Sequence, residues 1–189
     1  IGSNGLTAAR HLLLNQQYRQ KYPESYSETI DPDQVYCGKW QLSDHLPGSS
    51  LTIGEAILSP TRTYLPVMRP ILDQYREQIS GLIHCTGGGL VKCRDFGQGI
   101  RYVKDHLHPR PALFEAIADS GQIDPAEMYQ VFNLGQRLEI YCDESIADSI
   151  IDQCAQVNLA AQIIGHTETH DHNVTNSVII KDQGLTFTY

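Results

Sequence analysis

In the last third of the chain, strand-length apolar runs alternate with one amphipathic stretch, and this pattern restricts the architecture more than any other. Arg137 to Cys142 reads as a strand, Glu144 to Gln156 as a helix with Ile146, Ile150 and Ile151 facing inward, and Ala160 to His166 as a second strand. Short connections in that order make a β-α-β unit, which calls for a sheet with a helix packed on it. A hairpin should follow, with arms Ile163 to Thr169 and Val178 to Lys181, a polar tip His170-Asp171-His172-Asn173, and a final strand over Leu185 to Tyr189.

Upstream, Leu6, Ala9, Leu12 and Leu13 recur at helical spacing, so a helix is expected from Ser3 or Asn4, as N-cap, to about Lys21. Pro23 turns the residue before it away from helical geometry. From Pro23 to Ser50 the chain is rich in Pro, Asp, Ser and Gly and reads as a long ordered loop, pinned by Val35, Tyr36, Trp40 and Leu42. A short strand is expected over Glu55 to Leu58. A helix should follow Ser59-Pro60-Thr61, carrying Tyr64, Met68, Ile71, Leu72 and Tyr75, with Pro66 and Pro70 disturbing its first turns. Strands over Ile79 to Cys85 and Ile100 to Lys104 come next. A helix over Leu113 to Ala118 and a shorter one opening at Asp124-Pro125-Ala126-Glu127 complete the set. The order of elements indicates an α+β or α/β domain with helices on a mixed sheet, one domain over 1–189.

Charge and cysteine usage narrow the partners. Fourteen Lys and Arg against twenty-two Asp and Glu give a net charge of −8, a field that repels nucleic acid and anionic lipid, so a phosphate-bearing ligand must be held by local donors. Five cysteines, with no C-x-x-C and mostly inside apolar segments, fit buried free thiols in a reducing, cytoplasmic compartment. No run approaches the ~18 apolar residues of a membrane span, and no secretory signal stands at the start.

The strongest chemical feature is Gly81-Leu82-Ile83-His84-Cys85-Thr86-Gly87-Gly88-Gly89-Leu90, an apolar strand ending in a hydroxyl and three glycines. Successive N–H groups there can cradle an anion or an amide oxygen, although a plain tight turn fits the same composition. His84 shares a strand face with Leu82 and is either a core histidine or a polar group aimed into a cleft. Ser3-Asn4-Gly5 at a helix start and Thr61, Arg62 and Tyr64 at another are further candidates for holding a phosphate, against ordinary cap and surface roles. The pairs His106-x-His108 and His170-x-His172 lack a nearby third ligand, so no metal site is expected. G-x-S-x-G, G-x-x-x-x-G-K-[ST] and H-E-x-x-H are absent.

Taken together, Ser3-Asn4-Gly5, Ser59-Pro60-Thr61-Arg62-x-Tyr64, His84 to Leu90, and Glu127-Met128-Tyr129-x-Val131-Phe132-Asn133-Leu134-Gly135 stand in the order and rough spacing of a known family. The chain resembles the C-terminal domain of phosphoribosylformylglycinamidine cyclo-ligase, or aminoimidazole ribonucleotide synthetase, nearest its Bacteroides-like branch; Ile163-Ile164-Gly165 adds to the likeness. The resemblance implies an α/β/α layered α+β fold with a ferredoxin-like β-α-β portion. It also implies an ATP-dependent ligase of purine biosynthesis that activates the formyl oxygen of formylglycinamidine ribonucleotide and closes the imidazole ring. ATP and Mg2+ would be bound mainly by an N-terminal domain outside this chain, which would also carry the main homodimer contact. Carried over by position, Ser3, Asn4 and Gly5 would lie near the substrate, His84 would be the catalytic residue, Thr86, Gly87, Gly88 and Gly89 would line the cleft with Thr61 and Arg62, and Asn133 would shape its floor. The sequence departs from the family after the glycines, where Val91-Lys92-Cys93-Arg94 stands in place of an asparagine and arginine pattern. A related synthetase making selenophosphate, thiamine diphosphate or formylglycinamidine ribonucleotide, and a non-catalytic binding domain, are the alternatives.

Overall fold

A computed structural model describes residues 1, 4–121, 123–170 and 175–189. Its frame is a pair of facing sheets. Strand β1 (Ile79–His84) pairs antiparallel with β3 (Leu138–Cys142), and β2 (Ile100–Lys104), β4 (Gly165–Thr169), β5 (Ser177–Asp182) and β6 (Leu185–Thr188) form a second sheet in the order β4-β2-β5-β6. In that sheet β2 runs antiparallel to β4 and parallel to β5, so it is mixed, as expected.

Alternation along β3, with a register shift between Ile79 and Gly81 in β1, separates two cores. Ile79, Leu138, Ile140 and Cys142 face α4 (Leu65–Tyr75) and α7 (Glu144–Gln156), which bring Val67, Met68 and Ile71 against Ile146, Ile150 and Cys154. Ile83, Cys85 and Tyr141 face the other way, into a larger core shared with Tyr102, Val178 and Ile180 of the second sheet. That core also takes in α1 (Leu6–Leu13), α3 (Ile53–Ile57), α5 (Ala112–Ala118) and α6 (Pro125–Val131). Between the sheets Lys104 is ion-paired with Glu139, and the Tyr102 and Tyr141 rings meet edge to face at 5.3 Å. The result is a mixed α+β domain with helices outside paired sheets.

Several expectations give way to tertiary contacts. The strand–helix–strand segment does not form a parallel pair, because β3 belongs to the small sheet and β4 to the large one. The ferredoxin-like portion is therefore not formed by these elements. The Ile164 carbonyl accepts from the N–H groups of both Asp105 and His106 at 3.1 Å, so the chain joins β2 only from Gly165 onward. The expected hairpin is not formed either: β4 and β5 lie on opposite sides of β2. The hairpin is β5–β6, turned by Gln183 and Gly184, both at positive φ, as a two-residue turn of this hand requires. The proposed tip at 171–173 lies outside the described residues.

The helix expected over 6–21 is divided into α1 and α2 (Gln17–Lys21). The carbonyls of His11, Leu13 and Leu14 accept from Cys37, Trp40 and Gly38 at 2.8, 2.9 and 3.0 Å, which takes them from a continuing helix. In the long loop, Val35 and Tyr36 are buried as anchors while Leu42 is exposed. The strand expected at 55–58 is instead α3, started by a capping box in which Thr52 and Glu55 each bond the other's backbone N–H. Helix α4 keeps Pro66 in its first turn, where no N–H is required, and Pro70 one turn later. All five cysteines are free. Among the described residues no helix is long and apolar enough to cross a membrane.

Candidate functional site

The end of β1, the start of α1 and the end of α6 converge on one hollow. Ile1, Asn4, Pro60, Thr61, His84, Cys85, Thr86, Asn133 and Arg137 line a shallow hollow that opens to solvent. Two buried asparagines hold these segments together. Asn4 Nδ2 donates to the carbonyls of Thr86 (2.7 Å) and Val131 (2.9 Å), and its Oδ1 accepts from the Asn133 N–H at 2.7 Å. Asn133 Nδ2 in turn donates to the Cys85 carbonyl at 3.1 Å, and its Oδ1 takes the Gly135 N–H at 3.0 Å. Both amides are spent on backbone, so these residues fix the wall of the hollow rather than offering it free donors.

Two glycines permit this convergence. Gly5 has φ +70°, and a Cβ on it would stand 2.4 Å from the Phe132 ring. Gly89 has φ +52°, and its Cβ would stand 2.5 Å from the Tyr129 carbonyl and 2.6 Å from that of Phe132. Any larger residue at either position would separate the glycine turn and α1 from the end of α6. Neither glycine is therefore placed to offer a face to a ligand.

The groups left open are few and polar. The His84 side chain is exposed, with its ring edge to face against Tyr64 at 6.1 Å. The Gly87 and Gly88 N–H groups find no acceptor among the described residues, whereas those of Gly89, Leu90 and Val91 bond to Thr86, Tyr129 and Gly88. Lys92 clamps the turn, its Nζ donating to the His84 carbonyl at 3.0 Å and to Thr86 Oγ1 at 2.9 Å. Arg137 enters from the start of β3, after Leu134 and Gly135 reverse the chain at positive φ. Burial raises the Tyr64 phenol above its usual value against the opposing pull of Arg137 and Arg62.

The candidates from sequence thus divide. Asn4, Thr61, His84, Thr86 and Asn133 are brought together on the hollow. Gly87 and Gly88 lie beside it, and Gly5 and Gly89 support it from behind. Arg62 is exposed and turned toward the Asn158 carbonyl at 3.4 Å. Ser3 lies outside the described residues. Lys92 and Arg137 were not expected: nothing local distinguishes a lysine after a glycine turn, or an arginine opening an apolar strand, from a surface charge.

Fit to a metal is poor. No carboxylate lines the hollow, and among the described residues no group of three or more His, Cys, Asp or Glu could hold a metal ion. His106 and His108 are engaged through their backbones by Gln162 and Gln136, His170 faces Arg101, and His172 lies outside the described residues. The hollow's open donors suit an oxyanion, and Mg2+ finds no ligand set there.

The family described as "AIR synthase related protein, C-terminal domain" matches residues 37–176. A protein of Methanopyrus kandleri named phosphoribosylformylglycinamidine cyclo-ligase is 31% identical over 170 residues, covering 89% of this chain and 41% of that protein. Proteins of the same name from Methanobrevibacter smithii and Sorangium cellulosum are 32% and 33% identical, covering 72% and 66% of this chain and 39% and 36% of their own length. The chain spans about two fifths of the length of the curated relatives it matches. With three quarters of its residues inside the match, the chain belongs to the family of AIR synthase related proteins, C-terminal domain.

Proposed function

We propose that this chain is the C-terminal part of a ring-closing ligase that converts formylglycinamidine ribonucleotide to aminoimidazole ribonucleotide in purine biosynthesis, with the hollow as its share of the substrate site. The observation that carries the reading is the grouping of an exposed imidazole and a hydroxyl on one hollow, with two open N–H groups following directly in the chain, in a chain whose relatives bear the cyclo-ligase name. Closing the ring requires an amidine nitrogen to reach the formyl carbon, lose a proton, and displace the activated oxygen. ATP supplies the phosphoryl group that makes that oxygen a leaving group, and in this reading ATP and Mg2+ are held mainly by an N-terminal domain that also forms the dimer. Chemistry of this kind depends on positioned donors and excluded water more than on a nucleophilic side chain.

Within that scheme, His84 takes the proton from the amidine nitrogen, and the Gly87 and Gly88 N–H groups donate to oxygen as charge builds there. Lys92 keeps the strand end and Thr86 Oγ1 in register, and the Asn4–Asn133 clasp holds the three segments at fixed separation. A cytoplasmic setting follows from the pathway. The full-length protein, supplied with formylglycinamidine ribonucleotide, ATP and Mg2+, is expected to form aminoimidazole ribonucleotide, and the 189-residue chain alone to form none. Absence of product from the full-length protein, under conditions where a cyclo-ligase of known activity turns over, rejects the reading.

A further inference from the structure

We propose that Arg137 is a phosphate-binding residue of the hollow, its guanidinium taking a phosphoryl group of a bound nucleotide together with the open N–H groups of Gly87 and Gly88. The inference rests on the reading that the hollow receives substrate, and it adds a contact that resemblance does not supply. Three observations converge on it. First, Arg137 is the one arginine in the lining of the hollow, and no carboxylate pairs with it among the described residues. Second, the lining contains no Asp or Glu although the chain as a whole carries a net charge of −8, so the hollow is a local positive site in a negative molecule. Third, the Gly87 and Gly88 amides, which follow the lining residue Thr86 directly in the chain, are without acceptors among the described residues, and Lys92 Nζ donates to Thr86 Oγ1.

A planar guanidinium offers paired donors that match two oxygens of a phosphate, and an unpaired one beside open amides is complementary to an oxyanion. The phosphoryl group can belong to the ribonucleotide or to ATP, and kinetics separate the two. In the full-length protein Arg137→Gln is expected to raise the KM of one of these substrates about 10- to 100-fold, the range of a lost charged hydrogen bond, with the KM of the other unchanged. Arg137→Lys, which keeps the charge and loses the fork, should fall between. A raised KM for the ribonucleotide assigns its 5′-phosphate; a raised KM for ATP assigns the nucleotide triphosphate. Unchanged KM values for both overturn the proposal, whatever happens to kcat.

A second measurement needs no turnover. Titration of the full-length protein with inorganic phosphate should shift the Gly87 and Gly88 amide resonances saturably, and should not do so in Arg137→Gln with an unchanged circular dichroism spectrum. If the full-length protein lacks cyclo-ligase activity but this titration saturates, the functional reading fails and the anion site stands. If activity is present and the titration shows no Arg137-dependent shift, the anion site fails alone.

Discussion

Glu139→Gln is expected to lower stability by about 3–5 kcal/mol, the penalty for breaking a buried pair and leaving one charge without its partner. Lys104 and Glu139 are 3% and 5% exposed and join the two sheets, with Lys104 Nζ also donating to the Leu90 carbonyl at 2.6 Å and Tyr141 donating to the second carboxylate oxygen. Removing the carboxylate orphans an ammonium that water cannot reach. For a chain of this size the melting temperature should fall by roughly 6–20 °C in scanning calorimetry. The double substitution Lys104→Met, Glu139→Leu leaves no orphaned charge and should recover more than half of the loss. Equal losses in single and double variants would show that the pair matters through packing alone.

The same cluster sets the alkaline limit. Burial and the neighbouring Glu139 raise the Cys85 and Tyr141 side chains above their usual values of 9.0 and 10.0. Burial lowers Lys104, and the adjacent carboxylate more than reverses it, leaving it above its usual 10.5. Groups raised in the folded state contribute stability that is complete below their unfolded values and is lost as pH rises past them. Denaturation free energies should therefore decline above about pH 9 and more steeply above about pH 10, and less steeply in the double variant.

Local signals made part of this structure legible. The apolar run into Thr86 and three glycines gives β1 and its turn; the spacing of Ile146, Ile150 and Ile151 gives α7, although its buried face is completed by Cys154 rather than Ile151; Asp124 before Pro125 gives the start of α6, where its carboxylate accepts the Ala126 N–H. Thr52 and Glu55 carried an equally local capping signal that the short apolar run around them obscured. What could not be read was pairing at a distance. The order β4-β2-β5-β6 inserts an early strand between two late ones, and nothing in the late segment announces it. Glu139 looks like an outward residue of a half-buried strand until Lys104, 35 positions earlier, is found opposite. Arg137 gained meaning only when the chain reversal at Leu134 and Gly135 brought it beside His84. Family resemblance singled out Asn4 and Asn133, and their role as a clasp follows from their hydrogen bonds.

In the full-length protein, His84→Ala is expected to reduce kcat by about 10²- to 10⁴-fold, the usual contribution of a positioned proton-transfer group. Its ring is exposed and bonded to no other side chain among the described residues, so the melting temperature should stay within about 2 °C of the parent, the small effect typical of surface substitutions. Steady-state kinetics with calorimetry on the same preparation separate loss of chemistry from loss of fold. A kcat within about threefold of the parent would remove His84 from the proton path, since positioned acid–base groups contribute far more than that.

The most direct test is to follow backbone amide resonances of the full-length protein while adding formylglycinamidine ribonucleotide. Saturable shifts concentrated at Asn4, His84 to Gly88, Asn133 and Arg137 are the expected result. Saturable binding mapped elsewhere, for instance to the groove between α4 and α7 lined by Pro66, Pro70, Gln153 and Val157, would contradict the assignment of the hollow.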